Sequence, residues 1–186
     1  MTSVVLGVDR GIRRLSQLNV MIAGLLLLFV LITGPTRYLL DALVQNMGIY
    51  LRMLPRLGFW TEAYRETQWQ HGWTIFYWAW WIAYGPVVGL FVARISRGRT
   101  IRQVIFGMIG YGTLGAGLFF VILGNYGLNL QLTGAVDVVE QLNADGGAQA
   151  IVAIMDALPL DVWAMGLFAV AAVVFSATTY DSASYI

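Results

Sequence analysis

Apolar residues gather into four long stretches separated by shorter polar or arginine-bearing segments, over a chain of 186 residues. A helix needs about 20 such residues to cross a bilayer, so the pattern predicts spans at approximately 15–33, 73–95, 103–124 and 162–180. The first stops at Gly34-Pro35, a helix-ending pair. The last follows Leu158-Pro159 and meets Thr178, Thr179 and Asp181 only five residues before the final residue. Between 36 and 57 the pattern changes character. There Leu39, Leu40, Leu43, Met47, Tyr50, Leu51 and Leu54 recur at helical spacing among Arg37, Asp41, Arg52 and Arg56. Such a mixture predicts an amphipathic helix lying at the membrane interface rather than through it. The fold class expected is an all-α membrane protein, one continuous transmembrane region over 1–186.

The second span carries the densest chemistry. At 100° per residue, Trp73, Tyr77, Trp80 and Tyr84 fall within about 40° of one another, with Trp81 beside that stripe and Trp78 further round. Aromatic side chains near a membrane surface commonly form an interfacial belt, which suits Trp69 and Trp73. Trp80, Trp81 and Tyr84 lie roughly 10–17 Å deeper at about 1.5 Å per residue. A lining or binding role suits them better, with packing between helices as the alternative. The π face of an indole attracts a cation that has no hydrogen to donate. Gly85-Pro86 then predicts a helix break, because proline frees a carbonyl about one turn earlier, near Ile82.

Composition agrees with the membrane reading. Hydrophobic residues make up 59% and charged residues 11%, with a mean hydropathy of +0.71, against roughly one-quarter charged in soluble domains. No basic patch on a soluble fold suggests a nucleic-acid partner. Cysteine is absent, which excludes disulfides, thiolate metal sites and thiol catalysis. His71 stands alone in a polar loop and reads as a surface residue rather than a ligand or base. Asp181-Ser182 lacks a histidine partner for a hydrolase triad, so no enzyme activity and no cofactor are expected. The first apolar run is too long for a signal-peptide core. Glycines are plentiful: Gly85 and Gly89 form a small-xxx-small pair, and the third span holds Gly107, Gly110, Gly112, Gly115, Gly117 and Gly124. They point to close helix neighbours.

All eleven basic residues are arginines, and their placement sets the topology. Arg10, Arg13 and Arg14 precede the first span; Arg94, Arg97, Arg99 and Arg102 separate the second from the third. The segment 125–161 carries Asp137, Glu140, Asp145, Asp156 and Asp161 without an arginine. Residues 1–14 and 94–102 are therefore expected in the cytoplasm and 125–161 outside, in a multi-pass protein of the cell's inner (plasma) membrane. Arg65 and Glu66 complete the mixed segment before the second span. The arginine loop 94–102 is also placed to meet anionic lipid heads.

The run Trp73-Thr74-Ile75-Phe76-Tyr77-Trp78-Ala79-Trp80-Trp81-Ile82, followed by Ala93-Arg94-Ile95-Ser96-Arg97-Gly98-Arg99-Thr100-Ile101-Arg102, resembles the signature of the betaine/choline/carnitine transporter (BCCT) family. Gly34-Pro35, the amphipathic segment and Ala157-Leu158-Pro159 fit the same pattern, and the resemblance covers nearly the whole chain. It implies a fragment covering helices seven to ten of a twelve-helix, leucine-transporter-like bundle of inverted repeats. It implies that Trp78, Trp80, Trp81 and Tyr84 bind the trimethylammonium group of glycine betaine, choline or carnitine, or the sulfonium centre of an analogue. Tyr84 stands where a tryptophan often follows, and Gly85-Pro86 where many members have Ser-Pro.

The resemblance further implies a sodium site to which Phe175, Thr178 and Thr179 contribute, in a segment similar to the family's Phe-x-x-Thr-Ser. Coupling to a sodium gradient, to a proton gradient or to exchange is expected, and hydroxyl oxygens are suitable ligands for sodium as a hard cation. The alternative is that these hydroxyls back-bond to their own helix. Asp181 admits ion-binding, gating or plain solvated roles. A homotrimer is implied for the full-length protein. Transport would proceed by alternating access, and the isolated chain is expected to be inactive. A non-transporting four-span scaffold or partner subunit is the competing expectation.

Overall fold

The computed structural model describes residues 8–64 and 69–184, with side chains described over 14–64 and 69–180. Arg65 and Glu66, and the side chains of Arg10, Arg13 and Asp181, lie outside the described residues. The described residues are predominantly helical, and no strand occurs among them. Helix α1 runs Val8–Thr33 and α2 runs Thr36–Gly58. A π-helical turn, Gln70–Ile75, leads into α3, Phe76–Ile95. Helix α4, Ile101–Phe119, continues through a second π-turn, Phe120–Gly124, into α5, Asn125–Thr133. Two short helices, α6 (Val138–Ala144) and α7 (Gly147–Asp156), precede α8, Asp161–Ser184. Among the described residues, four segments are long and apolar enough to cross a membrane: Arg14–Thr33, Gln70–Ile95, Ile101–Thr133 and Asp161–Tyr180.

Local chemistry explains the boundaries. Helix α1 ends where the Gly34 amide donates to the Val30 carbonyl at 2.9 Å and Pro35 can donate nothing. A Cβ at Gly34 would lie 2.6 Å from the Val30 oxygen and 3.3 Å from the Tyr126 ring, so only glycine fits this corner. Helix α4 begins on a capping box: Gln103 N–H donates to Thr100 Oγ1 at 3.3 Å, and Thr100 N–H donates to Gln103 Oε1 at 3.0 Å. Helix α5 stops at Gly134, whose φ of +71° forms a left-handed cap.

Packing is concentrated in one region. Leu26, Leu27 and Val30 of α1, Leu39 of α2, Ile122 of the second π-turn, and Tyr126 and Leu130 of α5 bury one another. Met155, Leu158 and Ala164, around the α7–α8 corner, complete the cluster. Two polar ties reinforce it. Tyr126 Oη donates to the Ala157 carbonyl at 3.0 Å, and Asn46 Nδ2 of α2 donates to Asn125 Oδ1 at 3.0 Å. By contrast, neither α3 nor α4 contains a buried residue. In a bilayer, lipid tails offset the hydrophobic drive, so contact packing and these hydrogen bonds decide which helices associate.

One expectation from the sequence needs correction. Gly85-Pro86 does not break its helix; α3 passes through Pro86 and remains helical to Ile95. Proline removes one intrahelical hydrogen bond, while the neighbouring turns retain theirs, and in an apolar setting those are costly to give up. The third long helix also runs past Gly124 to Thr133, held by Tyr126 and Leu130 in the core.

Candidate functional site

Aromatic residues of the first π-turn and of α3 form a ladder. Trp73 stacks on Tyr77 with ring centroids 6.1 Å apart and planes inclined by 15°. Tyr77 meets Trp80 edge to face at 6.2 Å and 82°, and Trp80 stacks on Tyr84 at 5.6 Å and 19°. Trp81 leans against Trp80 at 5.4 Å and 60°. These separations lie within the range where aromatic pairs attract. The helical repeat produces the ladder contacts directly, because positions three and four apart lie one above another on one face, and Trp81 joins as the sequence neighbour of Trp80. Trp73, at the shallow end, is continuous with the deeper rings.

The ladder brings together three of the four residues singled out for cation binding: Trp80, Trp81 and Tyr84. Trp78 stands apart, further round the helix and 68% exposed. Tyr84, the most covered of the four, is 37% exposed, so the whole face is an open wall rather than an enclosed pocket. No carboxylate shares it, since α3 contains no Asp or Glu between Phe76 and Ile95. Such a surface offers π faces and one phenolic hydroxyl. That chemistry suits a permanently charged, N–H-free cation better than an amine, which would leave its donors unpaired.

The hydroxyls of α8 are turned inward along their own helix. Thr178 Oγ1 donates to the carbonyls of Phe175 (2.7 Å) and Val174 (3.1 Å), and Thr179 Oγ1 donates to Phe175 at 3.0 Å. Both hydroxyls thus back-bond to their own helix, the arrangement the sequence offered as the alternative to ion binding. Among the described residues, no group of three or more His, Cys, Asp or Glu is placed to hold a metal.

Two further features escape a reading of the sequence. The Asn46–Asn125 pair joins residues 79 positions apart, so no local pattern announces it. The two π-turns differ from α-helix by the partner of each amide, which composition does not encode. The capping box at Thr100-Ile101-Arg102-Gln103 was detectable, its Thr-x-x-Gln spacing being a known start signal.

Comparison with known proteins decides the family. The chain matches the family model described as BCCT, betaine/carnitine/choline family transporter, over residues 1–186. The chain belongs to this family. It is a family of transporters, not of enzymes, and with four helices among the described residues long and apolar enough to cross a membrane the chain is a multi-pass membrane protein. It is 38% identical over 186 residues to the ectoine/glycine betaine/proline transporter EctP of Corynebacterium glutamicum, covering 99% of this chain and 30% of that protein. It is 39% identical over 183 residues to the osmo-independent choline transporter BetT1 of Acinetobacter baylyi, covering 97% and 35%. A carnitine transporter of Acinetobacter baumannii is 35% identical over 179 residues, covering 96% and 32%. The chain thus spans about a third of the length of the curated relatives it matches.

Proposed function

We propose that this chain forms part of a secondary transporter for quaternary-ammonium or betaine-type solutes, working by alternating access. The observation that carries this reading is the ring ladder Trp73–Tyr77–Trp80–Tyr84 with Trp81 beside it, on a helix face free of carboxylates. Trp80, Trp81 and Tyr84 would form one wall around the trimethylammonium group, and other helices of the transporter would supply the remaining walls. Trp78, on the adjoining face, would take a second side of the cation or pack against a neighbouring helix. Relatives named for glycine betaine, choline and carnitine support the substrate class.

Pro86 leaves the Ile82 carbonyl without its usual donor inside a continuous helix, and this weak point would let α3 flex during the access change. Phe175, Thr178 and Thr179 would contribute to a sodium site in the full-length transporter, hydroxyl oxygens being suitable ligands for a hard cation. The arginine distribution supports cytoplasmic 1–14 and 94–102, an outer 125–161, and insertion in the inner (plasma) membrane. The exposed apolar residues Leu40, Val44, Met47, Leu51 and Leu54 of α2 support its contact with lipid. A homotrimer is the assembly we propose for the full-length transporter. The test is labelled glycine betaine and choline uptake by that transporter carrying Trp81→Ala. Loss of uptake or of apparent affinity is expected; unchanged values for both would refute the assignment.

A further inference from the structure

The helix running from Ile101 to Thr133 is built of two mechanically different halves. Its first half, α4, has no buried residue and contains Gly107, Gly110, Gly112, Gly115 and Gly117. Its last third, α5, buries Asn125, Tyr126, Gly127 and Leu130. The change occurs at the π-turn Phe120–Gly124, whose Ile122 is already in the core. A π-turn weakens the regular amide ladder and is a recurrent site of functional bending.

Immediately after the turn, Asn125 is 5% exposed, accepts from Asn46 through Oδ1, and leaves its Nδ2 without a partner among the described residues. An unpaired buried donor costs free energy. Beside a turn that bypasses regular i−4 carbonyls, it gives the segment a second hydrogen-bonding arrangement to move into.

We propose that Phe120–Gly124 is a hinge in this helix, with the Asn46–Asn125 amide pair as the pin on its fixed side. The α5 half stays clamped to α1, α2 and the α7–α8 corner, while α4 tilts about the turn. Ile101 lies about 28 Å from the hinge at roughly 1.5 Å per residue, so a tilt of about 10° moves that end by about 5 Å. Gly124 sits where an added Cβ would meet nothing within 4 Å. Alanine there stiffens the helix without a clash. Asn46 and Asn125 are positioning residues: they set where the helix bends and touch no solute.

The alternating-access reading gives this hinge its purpose, but the hinge is measurable without it. The chain contains no cysteine, so once any cysteine elsewhere in the full-length transporter is replaced, spin labels can be placed at chosen positions within it in bilayers. One pair, Val20→Cys with Ile101→Cys, spans the moving end; a second, Val44→Cys with Leu132→Cys, spans the clamped end. All four positions are at least 68% exposed.

Without ligand, the first pair should show a distance spread of about 5 Å or more while the second stays narrow. Gly124→Ala should narrow the first distribution, and Asn46→Ala should broaden the second. Adding glycine betaine should shift the first pair only. Equal movement of both pairs, or distributions unchanged by either variant, would overturn the hinge. Variant effects without a betaine response would uphold the hinge and count against the proposed substrate.

Discussion

Gly34→Ala is a small change at a corner with no room for it. The new Cβ would sit 2.6 Å from the Val30 carbonyl oxygen, about 0.7 Å inside the ~3.3 Å at which carbon and carbonyl oxygen make favourable contact. The oxygen cannot yield freely, because it accepts the Gly34 amide at 2.9 Å and closes α1. The other neighbour is the Tyr126 ring, at 3.3 Å, itself buried and tied to Ala157. Overpacking of this kind costs about 1–3 kcal/mol.

Gly24, in the same helix, has nothing within 4 Å of an added Cβ. Alanine there should stabilise by about 0.5–1 kcal/mol through reduced backbone freedom. The two variants should therefore differ by about 1.5–4 kcal/mol, at least tenfold in the folded-to-unfolded ratio, since about 1.4 kcal/mol is a factor of ten. Equilibrium unfolding in mixed micelles of the two variants beside the parent chain measures the difference. Equal stabilities for Gly34→Ala and Gly24→Ala would refute the corner as described.

Three other outcomes follow from the same structure. Tyr126→Phe removes the donor to the Ala157 carbonyl and should cost about 0.5–1.5 kcal/mol; the same unfolding assay reads it, and no loss would mean the tie contributes nothing. Asp137 caps α6: its carboxylate is held below the ordinary range by the Glu140 amide first and by Gln131 next. Its contribution is therefore present above the unfolded carboxylate pKa of about 4 and lost as pH falls through the lower folded value. Amide exchange in 137–144 should accelerate on that descent, and Asp137→Asn should weaken the dependence. Finally, Thr179→Val should raise the sodium concentration needed for half-maximal betaine uptake in the full-length transporter, and Thr179→Ser should restore it; unchanged sodium dependence in Thr179→Val would remove that residue from the ion site.

Much of this architecture is legible in the chain because helices repeat every 3.6 residues. Trp73, Tyr77, Trp80 and Tyr84 follow that period, and the rings meet in the structure as the spacing requires. Gly34-Pro35 marks a corner for an equally local reason. What escaped depends on distant partners. Asn125 looks like the polar start of a loop, yet stays helical because Tyr126 and Leu130 find the core and Asn46 reaches across from α2. Pro86 suggests a break when read alone, but one missing hydrogen bond does not undo the turns on either side. The binding face itself is only partly legible, because a wall does not specify the rest of its box.

The central claim is that these rings hold a charge and not merely a shape. It is tested most directly by measuring, on the full-length transporter, equilibrium binding of glycine betaine beside its uncharged-headgroup isostere 3,3-dimethylbutanoate. A cation–π wall contributes about 0.5–2 kcal/mol per ring, so betaine should bind more tightly by about 2–30-fold for each ring engaged, and Trp80→Ala should shrink that advantage. Equal affinity for the two ligands, or an advantage untouched by Trp80→Ala, would contradict it.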